Sequence, residues 1–225
     1  MKLVFASNNA HKLSEVRAMM PEGIEVLSLK DIGFEAEIEE TGETLEENSL
    51  IKAQTVWDWI VESRKSKVES IDGVFADDTG LEIDALNGEP GVYTARWYKR
   101  EPTLTLPKGK EMTDEMLNFH CNRAKALREL EGKENRGCQF RTVITLLMNG
   151  DATLNGGMIQ IEGVVRGRIA EEEYGEGGFG YDPVFIPEGD NKTFGELPAE
   201  LKNSISHRAR AIQELVKVLN DRMIE

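Results

Sequence analysis

Cysteine is scarce in this chain: Cys121 and Cys138 are the only two in 225 residues, and neither lies in a CxxC or Cys/His array. That points to a reducing cytoplasm rather than a disulfide framework, and leaves a single Cys121–Cys138 bridge open. Long apolar runs are lacking too. The run Leu3-Val4-Phe5-Ala6 turns polar at once, too short for a signal-peptide core or a membrane span. Positive charge is in deficit: 27 Lys and Arg against 41 Asp and Glu give a formal net charge of −14. Such a field repels polyanions and excludes general nucleic-acid binding, which needs a broad basic surface. It does not exclude a small phosphate ligand held by a metal and a few clustered cations. There is no GxxxxGK[ST], HExxH or GxSxG, no internal repeat and no low-complexity linker.

What remains is an ordinary globular composition, with 40% hydrophobic and 30% charged residues. The length fits one domain, or one domain built as two lobes around a cleft. A chain of this size buries roughly 70% of its unfolded surface and folds without staples. Leu3–Ala6 reads as a buried strand, followed by a helix with Leu13, Val16 and Met20 on one face, stopped by Pro21 and Gly23. Thr44 and Glu47 form a capping box for a helix whose apolar face is Ala53, Val56, Trp57, Ile60 and Val61. Asn48 and Lys52, four apart, share another face of it. Val74-Phe75-Ala76 is a strand that breaks at Asp77-Asp78-Thr79-Gly80, and Leu81, Ile83 and Ala85 alternate in a half-buried one. The segment 99–112 reads as a surface insertion, 113–130 as a helix, 139–148 and 158–169 as strands joined by an Asn149-Gly150 turn, and the C-terminal segment as a helix. This mixture of βα and hairpin neighbours predicts a mixed α/β sheet fold.

Four polar clusters could carry chemistry. Ser7-Asn8-Asn9-Ala10-His11-Lys12 lies between a strand and a helix, where free N–H groups and the dipole suit a phosphate; the same residues also make an ordinary N-cap. Asp77-Asp78 places two repelling carboxylates at an apolar strand, a cost that a hard cation such as Mg2+ would offset; alternatively the acids cap a turn. Glu39-Glu40-Thr41-Gly42 could add an oxygen ligand or simply face solvent. Gly175–Gly180 matches G-x-G-x-x-G as a string, but acidic residues precede it and Pro183 follows, biasing Asp182 away from helix. A loop presenting Phe179 and Tyr181 to a planar base is the alternative, beside a flexible turn. Lys202, Ser204, Ser206, His207 and Arg208 gather donors before the last helix, although a lone His is more often structural.

Taken together, in chain order, Ser7-Asn8-Asn9 with Lys12, Glu40-Thr41-Gly42 with Glu47-Asn48 and Lys52, Ala76–Leu81, Pro90–Arg96, Gly177–Pro183, and Lys202 with Ser206-His207-Arg208 resemble the inosine/xanthosine triphosphate pyrophosphatase family. The resemblance implies an elongated, two-lobed α/β mixed-sheet fold with a central substrate cleft, spanning 1–225 as a single domain and usually forming a homodimer. It implies hydrolysis of ITP, dITP and XTP, small noncanonical purine nucleotides, to monophosphate and pyrophosphate, with no nucleic-acid or membrane partner. By position, Ser7, Asn8, Asn9, Ala10, His11 and Lys12 would hold the triphosphate with Lys52. Glu40 and Asp78 would bind Mg2+, and Asp78 would accept the proton of the attacking water beside Thr79. Phe179 would stack on the purine, Gly180, Tyr181 and Asp182 would complete that wall, and Lys202, His207 and Arg208 would read the base edge. A donor-lined site leaves groups unpaired against adenine, at on the order of 1–3 kcal/mol each. Asn8, and the length of the 99–112 segment, depart from the family pattern. Two other readings are a non-catalytic purine nucleotide sensor and a pyrophosphatase for modified pyrimidine nucleotides.

Overall fold

The computed structural model describes residues 1–63, 70–100, 113–148 and 157–223. The chain divides into two compact units: Met1–Asp78, Thr142–Gly163 and His207–Glu225 form the first, Thr79–Arg141 and Val164–Ser206 the second.

In the first unit the apolar run at the start becomes β1 (Lys2–Phe5). Its residues alternate between two cores. Leu3 and Phe5 pack with Val16 of α1 (Ala10–Met19) and with Ile212, Leu215 and Leu219 of α6 (His207–Met223). Val4 and Ala6 pack with Ala53 and Val56 of α3 (Leu45–Ser63). A strand covered on both faces must be apolar at every position, which is why the run does not alternate with polar residues. β2 (Glu25–Leu27) and β3 (Gly73–Ile83) flank β1 in parallel, with Leu3 opposite Val26 and Gly73. Between β2 and α3 lies the single turn α2 (Leu29–Ile32), closed by a Ser28–Asp31 capping box. Strands β5 (Gly137–Met148) and β6 (Met158–Ile169) continue the order as β2-β1-β3-β5-β6.

The second unit takes the remaining parts of β3, β5 and β6. Here β3 pairs antiparallel with β4 (Pro90–Gly91), and β6 pairs antiparallel with β7 (Phe185–Pro187). One core joins Leu81 and Ile83, Phe140, Val165 and Ile169, Phe185 and Phe194, with Ala126 of α4 (Asp114–Glu129) packed into it. Thr113 caps α4, its hydroxyl accepting from the Met116 amide at 3.2 Å. α5 (Ala199–Ile205) precedes Ser206. Parallel and antiparallel pairs together make the sheet mixed, as expected.

The structure corrects several local expectations. β3 does not break at Asp77-Asp78 but runs through to Ile83. The acids sit inside a strand because cations from distant parts of the chain neutralise them, which local sequence does not reveal. Ala85 lies in a 3₁₀ turn, Asp84–Leu86, rather than in the strand. Asp182 opens another 3₁₀ turn with Pro183 beside it, a position proline tolerates. Cys121 and Cys138 are both buried and unbridged. The Asn149-Gly150 turn and residues 101–112 of the expected insertion lie outside the described residues. Among the described residues no helix is long and apolar enough to cross a membrane.

Candidate active site

The first unit gathers the charged residues. After β1, Ser7 Oγ accepts from the Asn9 amide at 3.3 Å, and Asn9, the N-cap of α1, accepts from the Lys12 amide at 3.0 Å. This places Ala10, His11 and Lys12 in the first turn of α1. Lys12 Nζ donates to Asp77 Oδ1 at 2.9 Å, and Arg208 Nε donates to Asp77 Oδ2 at 3.2 Å. Arg208 also pairs with Glu15 of α1. Successive strand residues point to opposite faces, so Asp78 takes a different cation. Its Oδ1 accepts from Lys52 Nζ at 2.7 Å, and the same ammonium donates to Glu40 Oε1 at 2.9 Å.

Lys52 is delivered by α3, whose start is fixed by the expected capping box. The Glu47 amide donates to Thr44 Oγ1 at 3.1 Å, and the Thr44 amide to Glu47 Oε2 at 3.2 Å. One turn before Lys52, the buried Asn48 accepts from the Gly42 amide at 2.8 Å, tying the Glu40–Gly42 loop to the helix. A Cβ on Gly42 would fall 2.7 Å from Asn48 Oδ1, so only glycine permits this approach.

The adjacent acids differ electrostatically. Burial pushes Asp77 up, but Lys12 and Arg208, with Lys52 behind them, outweigh it and hold the carboxyl well below the usual range. Burial also pushes Asp78 up, and there it prevails over Lys52, leaving Asp78 above its ordinary value. Asp77 is therefore the stronger acid of the pair and Asp78 the weaker, because their cationic partners differ. Glu40 and Asp78 converge on one cationic point with oxygen donors only, a set that suits a hard divalent cation. Among the described residues, no group of three or more His, Cys, Asp or Glu side chains forms a complete metal cage. His207, buried at the first position of α6, holds Thr142 Oγ1 at 2.6 Å from its Nδ1.

The second unit gathers an aromatic site. The Phe179 amide donates to Asp182 Oδ2 at 2.7 Å, and Lys202 Nζ donates to the same oxygen at 2.6 Å. Lys202 Nζ also lies 4.5 Å from the centroid of the Phe179 ring, a cation–π contact. Gly178 has φ of 74°, and a Cβ there would strike the Asp182 carboxylate. A 3₁₀ turn, Asp182–Val184, and not an α-helix follows this glycine pattern, so the helix that a dinucleotide-binding fingerprint needs is not in place. Tyr181 is a core residue: it is buried, its ring centroid lies 6.5 Å from that of Phe140, and its hydroxyl donates to the Thr94 carbonyl at 3.1 Å. Thr79, just past the acid pair in β3, is half-buried, and Asn8 is exposed.

The stretch Lys202–Arg208 is thereby divided. Lys202 joins Asp182 and Phe179, whereas Arg208 joins Asp77 and Glu15. Sequence reasoning missed Glu15, Thr142, Phe119 and Arg123, which touch these groups. Each is an unremarkable helix or strand residue whose partner lies far along the chain, so no local pattern marks it.

Residues 3–218 match the Ham1 family. The dITP/XTP pyrophosphatase of Flavobacterium johnsoniae is 44% identical over 219 residues, covering 97% of this chain and 98% of that one. The dITP/XTP pyrophosphatase of Bacillus subtilis is 41% identical over 219 residues, with 96% of each covered. Among solved structures, a HAM1 protein from Coxiella burnetii superposes with a TM-score of 0.75 at 32% identity, covering 98% of this chain and 99% of that one. The Staphylococcus aureus Ham1 protein gives 0.74 at 33% identity, covering 99% and 100%. With the match running through both units and both clusters, the chain belongs to the Ham1 family.

Proposed function

We propose that this protein is a nucleoside triphosphate pyrophosphohydrolase that converts ITP, dITP and XTP to the monophosphate and pyrophosphate. The observation that carries the reading is the Asp77-Asp78 pair. One carboxylate is locked by Lys12 and Arg208, and the other is kept more basic beside Lys52 and Glu40. The names of the relatives, dITP/XTP pyrophosphatases matched over nearly their whole length, support dITP and XTP among these substrates.

The triphosphate falls to the Ser7–Lys12 turn, with its helix N-terminus, and to Lys12 and Lys52. Cleavage between the α and β phosphates builds negative charge on the bridging oxygen, and these ammonium groups stabilise it. Glu40 and Asp78 would hold Mg2+, which when bound neutralises phosphate charge and acidifies water. Asp78 orients the attacking water and takes its proton at Oδ2, Oδ1 being held by Lys52. The purine stacks on Phe179, whose ring is framed by Lys202 and by Asp182. Lys202 and His207 read the 6-keto edge, while the burial of Arg208 between Asp77 and Glu15 favours an anchoring role. The reading extends to a homodimer working on the cytoplasmic nucleotide pool, which sedimentation and fractionation test.

Replacing Asp78 by Asn preserves shape and removes the base. Pyrophosphate release from ITP with Mg2+ should lose about 10²–10⁴-fold in kcat, with a much smaller change in KM. Wild-type turnover by Asp78→Asn would remove Asp78 from the role of base.

A further inference from the structure

Phe179 stands between two glycines in the left-handed region, Gly178 at φ 74° and Gly180 at φ 60°. Glycine there avoids strain, but it also leaves the chain free to swing on either side of the aromatic ring. A stacking platform built this way needs restraint from outside the loop. Asp182 restrains the near side by accepting from the Phe179 amide. The far side is restrained by α4. Arg123 Nη1 donates to the carbonyl of Gly180 at 2.8 Å, while its Nε lies 3.0 Å from Glu173 Oε2. The Arg123 side chain is 14% exposed, so the guanidinium is largely withdrawn from water. Phe119, one turn earlier on the same face of α4, sets its ring 6.4 Å from the ring of Phe179, tilted by 44°.

We propose that Arg123 is a positioning residue for base binding: bridging Glu173 and the Gly180 carbonyl, it fixes the plane of the Phe179 ring before the nucleotide arrives. The guanidinium suits the task because it donates one hydrogen bond to the Gly180 carbonyl while its charge pairs with the Glu173 carboxylate beside Nε, a contact without hydrogen-bond geometry. Holding the ring in its bound orientation spares the nucleotide the entropy of ordering it. The effect belongs to binding and not to the chemical step, since Arg123 acts on the loop that carries Phe179, through Glu173 and the Gly180 carbonyl. The inference rests on the reading of Phe179 as the stacking residue.

The test is steady-state kinetics on ITP for wild type, Arg123→Met, Phe179→Leu and the double variant. Loss of a charge-assisted hydrogen bond should raise KM about tenfold in Arg123→Met, with kcat within about twofold. Arg123→Lys, which keeps the charge but not the fork, should recover part of that rise. In the Phe179→Leu background the Arg123 substitution should add little, because both act through one ring. An unchanged KM in Arg123→Met, alongside a raised KM in Phe179→Leu, overturns the role of Arg123 and leaves stacking intact. An unchanged KM in Phe179→Leu overturns the stacking reading itself. A fall in kcat at constant KM would mark Arg123 as merely structural and also overturn the proposal. Should Arg123→Met not fold, Glu173→Gln weakens the same anchor from its other end. It should raise KM about threefold, and no rise would count against the inference.

Discussion

In the first unit, Lys12, Lys52 and Arg208 interleave with Glu15, Glu40, Asp77 and Asp78, most of them withdrawn from water. In the second, one carboxylate and one ammonium, Asp182 and Lys202, frame an aromatic ring. Buried charges persist only when paired, so the first arrangement has little tolerance for loss of a partner. Its rigidity suits a reaction whose main demand is fixed charge at fixed positions. In the second arrangement the Asp182–Lys202 pair is buried as well, but the Phe179 ring it frames is half-buried on a glycine-flanked loop, so changes to the ring should weaken binding before they weaken the fold.

Asp77→Asn is the sharpest way to break this comparison on the stability side. It removes the carboxylate that Lys12 and Arg208 share, leaving Arg208 its pair with Glu15, and should cost roughly 3–5 kcal/mol in a denaturant titration. The sign of its pH dependence follows from the lowered carboxyl of Asp77. The advantage of wild type should be fully present above the ordinary carboxylate range, and lost as pH falls through the depressed native value. A difference that persists unchanged in strong acid would show that the ion pairs are not its source.

On the binding side, Phe179→Leu should raise KM for every purine triphosphate by about tenfold or more, as loss of stacking on the order of 1–3 kcal/mol requires. Its melting temperature should stay close to wild type, because Phe179 is only half-buried. A large loss of stability would place Phe179 in the core instead. Thr44→Ala tests the capping box that positions Lys52. It should cost about 1 kcal/mol, with a matching small loss of kcat that Thr44→Ser restores. The smallest effect is expected where charge is paired but exposed. Arg166 grips Asp84 at 2.7 Å and 3.1 Å, with both side chains more than a third exposed. Asp84→Asn should therefore change stability by less than about 1 kcal/mol. A cost equal to that of Asp77→Asn would erase the distinction between buried and exposed pairs.

Legibility in the sequence followed the range of the interactions. The Thr44–Glu47 box, the Asn48–Lys52 spacing and the α1 cap involve residues within a turn or two, and each is present as read. The continuity of β3 was not legible, because Asp77 is tolerated in mid-strand only through Lys12 and Arg208, 65 and 131 residues away. The division of Lys202 from Arg208 was hidden for the same reason: adjacency in sequence suggested one donor patch, yet their carboxylate partners differ. α5 and β7 are too short to show a period. Arg123 gave no signal either, being one of several charged residues on the 113–130 helix, with its partners about 50 residues away.

The measurement that tests the account most directly is pyrophosphate release from ITP, dITP, XTP, GTP and ATP, each with Mg2+ and with chelator. The account predicts strong, metal-dependent turnover of the first three over the last two. Equal rates on all five would leave hydrolysis standing but contradict base reading by Lys202 and His207. Tight binding of all five with no product over hours would contradict the enzyme itself and point to a nucleotide sensor.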